Sequence, residues 1–165
     1  MSSNDALDTK KVVGILNRIL EEELAGVVRY THYSFMIFGY TRIPIVAWCR
    51  QEAGGALAHA HQAGEMITHL GEHPSLGIGP LLETHQHDVG AILKESLEAE
   101  RVAQNLYREL LDAVQGKSVF LEEYARRMIF EEELHVGEVD KMLRNPGTLK
   151  AFKEAGAPER RIDKK

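Results

Sequence analysis

The sequence is poor in cysteine and in long apolar runs, and it has no surplus of basic residues. Its 165 residues include one cysteine, Cys49, which excludes an intrachain disulfide and a cysteine-rich zinc site. No run approaches the roughly 20 apolar residues that a membrane-spanning helix needs, so we expect no membrane partner. Lysine and arginine number 20 against 25 aspartates and glutamates, a net charge of −5, which argues against nucleic acid as a partner.

The overall composition is typical of an ordinary globular chain. Hydrophobic residues make up 44% and charged residues 27% of the sequence, and the length predicts a single domain over residues 1–165. The first eleven residues are polar and lack the apolar segment of a signal peptide, so we expect a cytoplasmic protein. Only five prolines are present, which suits long helices, and the eight histidines suit metal binding.

Apolar residues recur at helical spacing in four long segments, and strand-like alternation is absent from the sequence. We predict a helix in each of four segments, at about residues 8–39, 44–71, 84–116 and 118–144, and a short fifth helix at about 146–155. Asp8 and Ser118 are the expected N-caps of the first and fourth helices. Pro44 suits the first turn of the second helix, and Gly71 suits its end.

The lengths of the joints predict how these helices are connected. Helices one and two, and helices three and four, are joined by a few residues, so each pair is expected to be antiparallel. The middle joint, about residues 72–83, reaches ~40 Å when extended, which equals the length of one ~28-residue helix. A crossover of that reach makes helices two and three parallel. We therefore predict an all-α, ferritin-like four-helix bundle with one long crossover.

Candidate metal ligands lie on the inward faces of three helices. Glu132 and His135 are three residues apart on one helix face, together with the apolar Met128. Burying a carboxylate and an imidazole is costly unless something pairs with them. Glu23 on helix one and His59 on helix two also share faces with apolar residues. A metal site on the bundle axis is one interpretation, and a hydrogen-bonded core histidine with solvated glutamates is the other.

The segments around these residues resemble bacterioferritin, in the ferritin-like superfamily. The resemblance rests on LNRILEEEL in helix one, AHAHQAGEMITHLGEHPSL in helix two, AQNLYREL in helix three and EEELH in helix four, and it covers about residues 12–143. It implies that helices two and four each supply an ExxH pair, that helices one and three each supply a glutamate, and that these six residues bind two iron ions. It also implies a homo-oligomeric shell of about two dozen subunits that stores iron.

By this resemblance, four of the six ligand positions are occupied by ligand residues, namely Glu23, His59, Glu132 and His135. The helix-two glutamate position is Ala56 and the helix-three position is Ala99. The family's haem-ligating methionine falls on Leu57, whose side chain cannot bind iron, so we expect no haem.

Two glutamates lie one helical turn before the substituted positions. Glu52 precedes Ala56 by four residues and Glu95 precedes Ala99 by four, a step that rotates ~40° about the helix axis and rises ~6 Å. Because helices two and three are expected to be parallel, both glutamates are displaced in the same direction. The rearranged metal site that we predict comprises Glu23, Glu52, His59, Glu95, Glu132 and His135. In the alternative, Glu52 and Glu95 are surface charges and the site is degenerate.

Other polar residues are weaker candidates as metal ligands. Glu98 and Glu100 are rotated by about 100° to either side of Ala99, so they are poorer substitutes. His61, His69 and His73 form a stripe away from the His59 face, which is either a solvated surface or a second metal site.

A mixed set of glutamates and histidines favours iron, manganese or zinc over magnesium or calcium. We expect one or two ions per subunit, with iron (Fe²⁺/Fe³⁺) as the first choice. Two adjacent ions would support oxidation of Fe(II) by O₂ or peroxide, and hence iron storage. The alternatives are a catalytically weak metal-binding subunit, an oxidoreductase that acts on peroxide or another substrate, and a purely structural bundle.

Overall fold

The structure is a computed structural model that describes residues 6–81 and 84–152. Within these ranges the chain forms no strand and has four α-helices: α1 (Thr9–Met36), α2 (Arg42–His69), α3 (Val89–Val114) and α4 (Val119–Leu143). The predicted all-α bundle is thereby confirmed. None of the four described helices has the apolar stretch that spanning a lipid bilayer requires.

Helices α1 and α4 begin directly after Asp8 and Ser118, the N-cap residues that the sequence predicts. The side chain of Asp8 accepts a hydrogen bond from the backbone N–H of Lys11 at 3.0 Å, and Ser118 accepts one from Leu121 at 3.4 Å. Each bond satisfies a backbone donor that has no partner within the first turn of its helix.

Helix α3 begins at Val89, later than the predicted start at about residue 84. Asp88 is its N-cap and accepts a hydrogen bond from the backbone N–H of Ala91 at 3.0 Å. His85, by contrast, has a φ of 58°, a conformation that a right-handed helix excludes. The crossover is therefore longer than predicted.

The crossover between α2 and α3 runs along α1. The backbone N–H of Ser75 donates to Asn17 Oδ1 at 2.7 Å, and Arg29 Nη1 donates to the carbonyl oxygen of Pro80 at 2.7 Å. Residue numbers rise together along the two segments, so the crossover and α1 point the same way.

Contacts between α1 and α3 complete the topology. Tyr33 donates to Glu95 Oε2 at 2.7 Å, and Tyr107 donates to Glu23 Oε1 at 2.9 Å, so α3 runs antiparallel to α1. Helix α2 is also antiparallel to α1, because only residues 37–41 separate them. Helices α2 and α3 are therefore parallel, as the crossover length predicts.

The buried side chains divide the bundle into layers. The largest apolar cluster fills the end that contains the first half of α1 and the second half of α3, and it includes Leu16, Ile67, Leu110, Val114 and Leu121. Smaller apolar clusters form the opposite end, around Tyr33, Ile37, Ile92, Leu97 and Val139. Between these ends lies a layer in which several buried side chains are glutamate or histidine.

The predicted fifth helix at 146–155 is wrong over residues 146–152, which form turns and irregular structure, and its last three residues lie outside the described part of the chain. Gly147 has a φ of 80°, which interrupts a right-handed helix. Asp140 Oδ1 accepts a hydrogen bond from the backbone N–H of Phe152 at 2.8 Å, and Arg144 Nη1 donates to the carbonyl oxygen of Leu149 at 3.1 Å. These contacts hold the segment against the end of α4.

Candidate metal centre

Two groups of carboxylates and imidazoles meet in the polar middle layer. The inner group consists of Glu23, His59 and Glu132. The outer group consists of Glu52, Glu100 and His135. In each group, one potential ligand atom from every residue lies within 4.8 Å of the others. All four helices contribute, because α1 provides one of the residues, α2 two, α3 one and α4 two.

Glu132 lies between the two groups and faces both of them. Its Oε1 is 3.0 Å from His59 Nδ1, and its Oε2 is 3.8 Å from His135 Nδ1. The side chain is 1% exposed, and neither oxygen has an aligned hydrogen-bond donor among the described residues. A buried carboxylate is unfavourable unless a cation compensates it, and without a metal the nearby imidazole of His59 is the group that can supply this charge. The donor set therefore fits a metal ion on each side of Glu132.

The space between the groups is bounded by small residues. Gly26, Ala56 and Ala99 line the same cavity as both groups, and its volume is about 20 Å³. A cavity of this size holds about one water molecule. The alanines leave this space open where the resemblance to bacterioferritin expects glutamates, and Glu52 reaches it from one turn earlier on α2.

A family model described as the ferritin-like domain matches residues 13–147. The chain belongs to the ferritin-like family. A search of curated proteins finds no match, so the remaining comparisons are with solved structures.

Three solved structures share the ferritin-like fold at 23% sequence identity. A ferritin-like diiron-carboxylate protein from Bacillus anthracis str. Ames has a TM-score of 0.78, with 87% of this chain and 100% of that chain covered. A dodecameric thioferritin, the bacterioferritin-related protein of Bacteroides fragilis, has a TM-score of 0.73, with 85% and 88% covered. A Rhodobacter capsulatus bacterioferritin, with a metal-free dinuclear site and haem iron, has a TM-score of 0.72, with 81% and 84% covered.

The structure brings five of the six predicted site residues into the two groups: Glu23, Glu52, His59, Glu132 and His135. The sixth, Glu95, belongs to neither group, contrary to the prediction. Its Oε2 accepts a hydrogen bond from Tyr33 at 2.7 Å, and its Oε1 accepts one from the backbone N–H of Thr84 at 2.8 Å. Glu95 therefore fastens the end of the crossover to the bundle.

Glu100 takes the place that the sequence assigned to Glu95. Its Oε2 lies 3.8 Å from His135 Nδ1, and its Oε1 accepts a hydrogen bond from the hydroxyl of Tyr30. A glutamate side chain is long enough to compensate for a ~100° offset from Ala99 around the helix. Tyr30 is the signal that could have found it, because it lies two turns after Glu23 on the same face of α1.

The remaining sequence candidates lie outside the two groups. Leu57 is 41% exposed on α2, and the expected lack of haem stays a prediction. His61, His69 and His73 are exposed. Among the described residues, none of these three histidines belongs to a group of three or more potential metal ligands. The ring of His69 instead packs against Phe120, with 4.7 Å between ring centres.

Proton affinities in the inner group reflect burial and close opposite charges. Burial lowers the pKa of His59, but the carboxylates of Glu132 and Glu23 outweigh it and raise this pKa to about 11. Burial, with further contributions from Glu23 and Glu100, raises the pKa of Glu132 to about 8 against the opposing effect of His59. Without a metal, His59 is therefore a cation among carboxylates at neutral pH.

The outer group follows the same pattern. The nearby carboxylate of Glu100 raises the pKa of His135 to about 9, although burial opposes the shift. Burial acts to raise the pKa of Glu100, but contacts with His135 and Tyr30 outweigh it and lower the pKa. Burial raises the pKa of Glu52. In both groups a proton occupies the imidazole that a metal would bind, so metal binding must release protons.

Proposed function

We propose that this ferritin-like chain binds two divalent transition-metal ions, one in each group, with Glu132 sharing its two oxygens between them. The arrangement of Glu132 carries the proposal. A carboxylate that is 1% exposed, lacks aligned donors and points one oxygen at each group is suited to bridge two cations.

The charges of the two groups support two ions rather than one. Four carboxylates carry a charge of about −4 when ionised, and two divalent cations neutralise it when both imidazoles are uncharged. Histidine and carboxylate ligands together suit Fe(II), Mn(II) or Zn(II) better than Mg(II) or Ca(II). The diiron-carboxylate description of the similar Bacillus anthracis protein supports iron in particular.

We propose that the ions are ferrous substrates and that the site oxidises them. The balanced step is 2 Fe(II) + O₂ + 2 H⁺ → 2 Fe(III) + H₂O₂, in which each iron gives one electron and dioxygen accepts both. The residues contribute by holding two ions side by side, because a two-electron oxidant then meets both donors in one encounter. His59 and His135 lose their protons to solvent when the ions bind.

We further propose that the protein forms a homo-oligomer and serves iron storage. The dodecameric state of the similar Bacteroides fragilis protein supports an assembly. A shell of about two dozen subunits, as the resemblance to bacterioferritin implies, is the larger alternative. Light scattering coupled to size-exclusion chromatography separates these states by mass, and a monomer or dimer would contradict storage in a cavity.

Anaerobic titration with Co(II) or Fe(II), followed by exposure to air, tests the metal site. We expect two equivalents to bind per chain and Fe(II) to be oxidised faster than in protein-free buffer. Glu100→Gln is expected to reduce binding to about one ion and to slow oxidation at least tenfold, since a ligand is lost from the outer group. Glu95→Gln is the matched control on the same helix and is expected to retain both ions.

Two other results would change this conclusion. Binding of two ions without accelerated oxidation by O₂ or peroxide would indicate a subunit that only holds metal. The assignment of the outer group would be contradicted if Glu100→Gln bound two ions and oxidised Fe(II) at the normal rate while Glu95→Gln lost an ion.

A further inference from the structure

Three of the eight histidines meet outside the metal centre, where the crossover ends beside α1. His32 lies on α1, and His85 and His87 lie just before α3. The ring centres of His32 and His87 are 5.7 Å apart, and those of His85 and His87 are 6.4 Å apart. These three residues, the histidine cluster, belong to neither the inner nor the outer group. The proposed function therefore leaves the cluster unexplained.

The carboxylate of Glu95 holds the two parts of the histidine cluster together. Tyr33, the residue after His32, donates to Glu95 Oε2 at 2.7 Å. The backbone N–H of Thr84, the residue before His85, donates to Glu95 Oε1 at 2.8 Å. One buried side chain thus sets the spacing between α1 and the end of the crossover, and with it the spacing of the histidines.

The backbone that carries His85 and His87 has a specific conformation. His85 has a φ of 58°, which is unfavourable for a residue with a Cβ and persists only where surrounding contacts hold it. Directly after His87, the side chain of Asp88 accepts a hydrogen bond from the backbone N–H of Ala91 at 3.0 Å and fixes the start of α3. Both histidines are therefore presented by a turn that contacts on each side define.

A cavity of about 180 Å³ borders both His32 and His85. This volume is several times what a single water molecule needs, so a cation with water ligands fits beside the two rings. The Nε2 atoms of His32 and His87 are buried, whereas His85 is exposed. An ion would therefore enter past His85 and reach nitrogens that bulk water does not.

The charges around the cavity are compatible with a bound cation. Arg29 contributes a guanidinium to the cavity wall, but its Nη2 lies 2.8 Å from Glu22 Oε1 in a buried ion pair. This carboxylate balances the guanidinium, so the ion pair presents little net positive charge to an entering ion.

The spacing of the rings is close to what a shared metal ion requires. Imidazole nitrogens bind such ions at about 2.0–2.1 Å, so two imidazoles on one tetrahedral ion have ring centres roughly 5–5.5 Å apart. The separations of 5.7 and 6.4 Å exceed this by about 1 Å or less. The nitrogens of the three rings are not all within 4.8 Å of one another, so binding requires the rings to turn. Only a cation with a strong preference for nitrogen repays that movement.

We propose that the histidine cluster is a separate site for a nitrogen-preferring divalent cation, with Cu(II) as the strongest binder and His32, His85 and His87 as its ligands. Imidazole suits copper, and Cu(II) has the highest affinity among the divalent ions of the first transition row. Fe(II), Co(II) and Zn(II) stand below it in this order and are expected to fill the carboxylate-containing metal centre alone. The site therefore extends the metal chemistry of the chain beyond the bundle axis.

Titration with Cu(II) tests the proposal by comparing the unaltered protein with His32→Asn and His87→Asn. Bound copper is counted by elemental analysis after gel filtration, at the lowest concentration that saturates the unaltered protein. Each variant is expected to bind one Cu(II) fewer per chain, because a buried ligand is lost, and to keep the two Co(II) ions of the metal centre. An unchanged copper count in both variants would overturn the proposal.

Two other histidine variants are the matched controls. His61→Asn and His69→Asn make the same substitution at exposed histidines outside the cluster, and both are expected to keep the copper count of the unaltered protein. Loss of the same copper ion from either control would overturn the assignment to the cluster.

A second measurement needs no variant. Crystals of the unaltered protein soaked in Cu(II), with diffraction recorded on both sides of the copper absorption edge, are expected to show an anomalous peak within bonding distance of His32 and His87. The ring of His85 is expected to turn toward the same peak. Copper peaks elsewhere with none at the cluster would overturn the proposal.

Discussion

The apolar end of the bundle and its polar middle layer are built by the same four helices with opposite physical consequences. Leu16, Leu110 and Leu121 at the apolar end are at most 1% exposed, and burying apolar surface contributes about 25 cal/mol per Å² to folding. In the middle layer, Glu23 and Glu132 are also buried, but burying a carboxylate is unfavourable without a compensating charge.

This difference separates stability from metal binding. The apolar end can hold the helices together without any ion, whereas the middle layer places like charges close together and requires protons or metals to neutralise them. A change at the apolar end should therefore affect unfolding and leave the metal count intact. A change in the middle layer should lower the metal count and leave the unfolding of the metal-free protein intact.

The largest expected effect on the free energy of unfolding comes from the apolar end. Leu110→Ala removes a fully buried side chain and is expected to lower the free energy of unfolding by about 2–5 kcal/mol, as measured by urea denaturation of the metal-free protein. The metal count at saturation is expected to stay at two per chain. Loss of metal in the folded variant would break the separation.

The next effect comes from the metals themselves. An ion at about 100 times its dissociation constant stabilises the folded state by about 2.7 kcal/mol, so Zn(II) is expected to raise the melting temperature of the unaltered protein. Glu132→Ala removes the shared carboxylate and is expected to abolish this rise. A full metal-dependent rise in Glu132→Ala, measured by calorimetry, would show that Glu132 does not bridge the ions.

Acidity is expected to weaken metal binding in a graded way. The pKa of His59 is about 11 and that of His135 about 9, so both rings are protonated at pH 7 and must lose their protons to bind metal. Affinity is therefore expected to fall as pH falls from 9 to 6, by about 1.4 kcal/mol per pH unit for each proton displaced. Titration calorimetry in buffers of different ionisation enthalpy counts these protons.

Two histidine variants sharpen the pH comparison. His135→Asn is expected to reduce the number of released protons by about one, because one titrating ligand is lost. His61→Asn changes an exposed histidine outside both groups and is expected to change neither the affinity nor the proton count. Proton release that is unaffected by His135→Asn would contradict the role of that ring.

The smallest effect is expected from Glu95. Glu95→Gln weakens the charge-assisted hydrogen bonds to Tyr33 and Thr84 and is expected to lower the free energy of unfolding by about 1 kcal/mol. The metal count is expected to remain unchanged. An equally stable variant that binds fewer ions would place Glu95 in the metal site after all.

The fold could be predicted because its determinants are local. Helical spacing, the caps Asp8 and Ser118 and the length of the crossover together indicate the four helices and their directions. The boundary of α3 and the segment after Asn145 could not be predicted in the same way. They depend on the φ of His85 and Gly147 and on the hydrogen bond between Asp140 and Phe152. That bond joins residues 12 positions apart in the sequence, so helical periodicity does not reveal it.

The candidate site could be predicted only in part, for a related reason. The inward faces of the helices indicate Glu23, His59, Glu132 and His135, because helix periodicity fixes the direction of each Cα–Cβ bond. Periodicity cannot decide between Glu95 and Glu100, since both are buried on α3. Partners on other elements decide it: Tyr33 and the crossover hold Glu95, and Tyr30 on α1 holds Glu100.

The proposed metal centre has one ion on each side of Glu132. Anomalous diffraction from crystals loaded with Co(II), collected on both sides of the cobalt absorption edge, locates these ions. We predict two anomalous peaks per chain, roughly 3.5–4 Å apart, one beside Glu23 and His59 and the other beside Glu100 and His135. A single peak, or peaks that leave both oxygens of Glu132 without metal, would contradict the account.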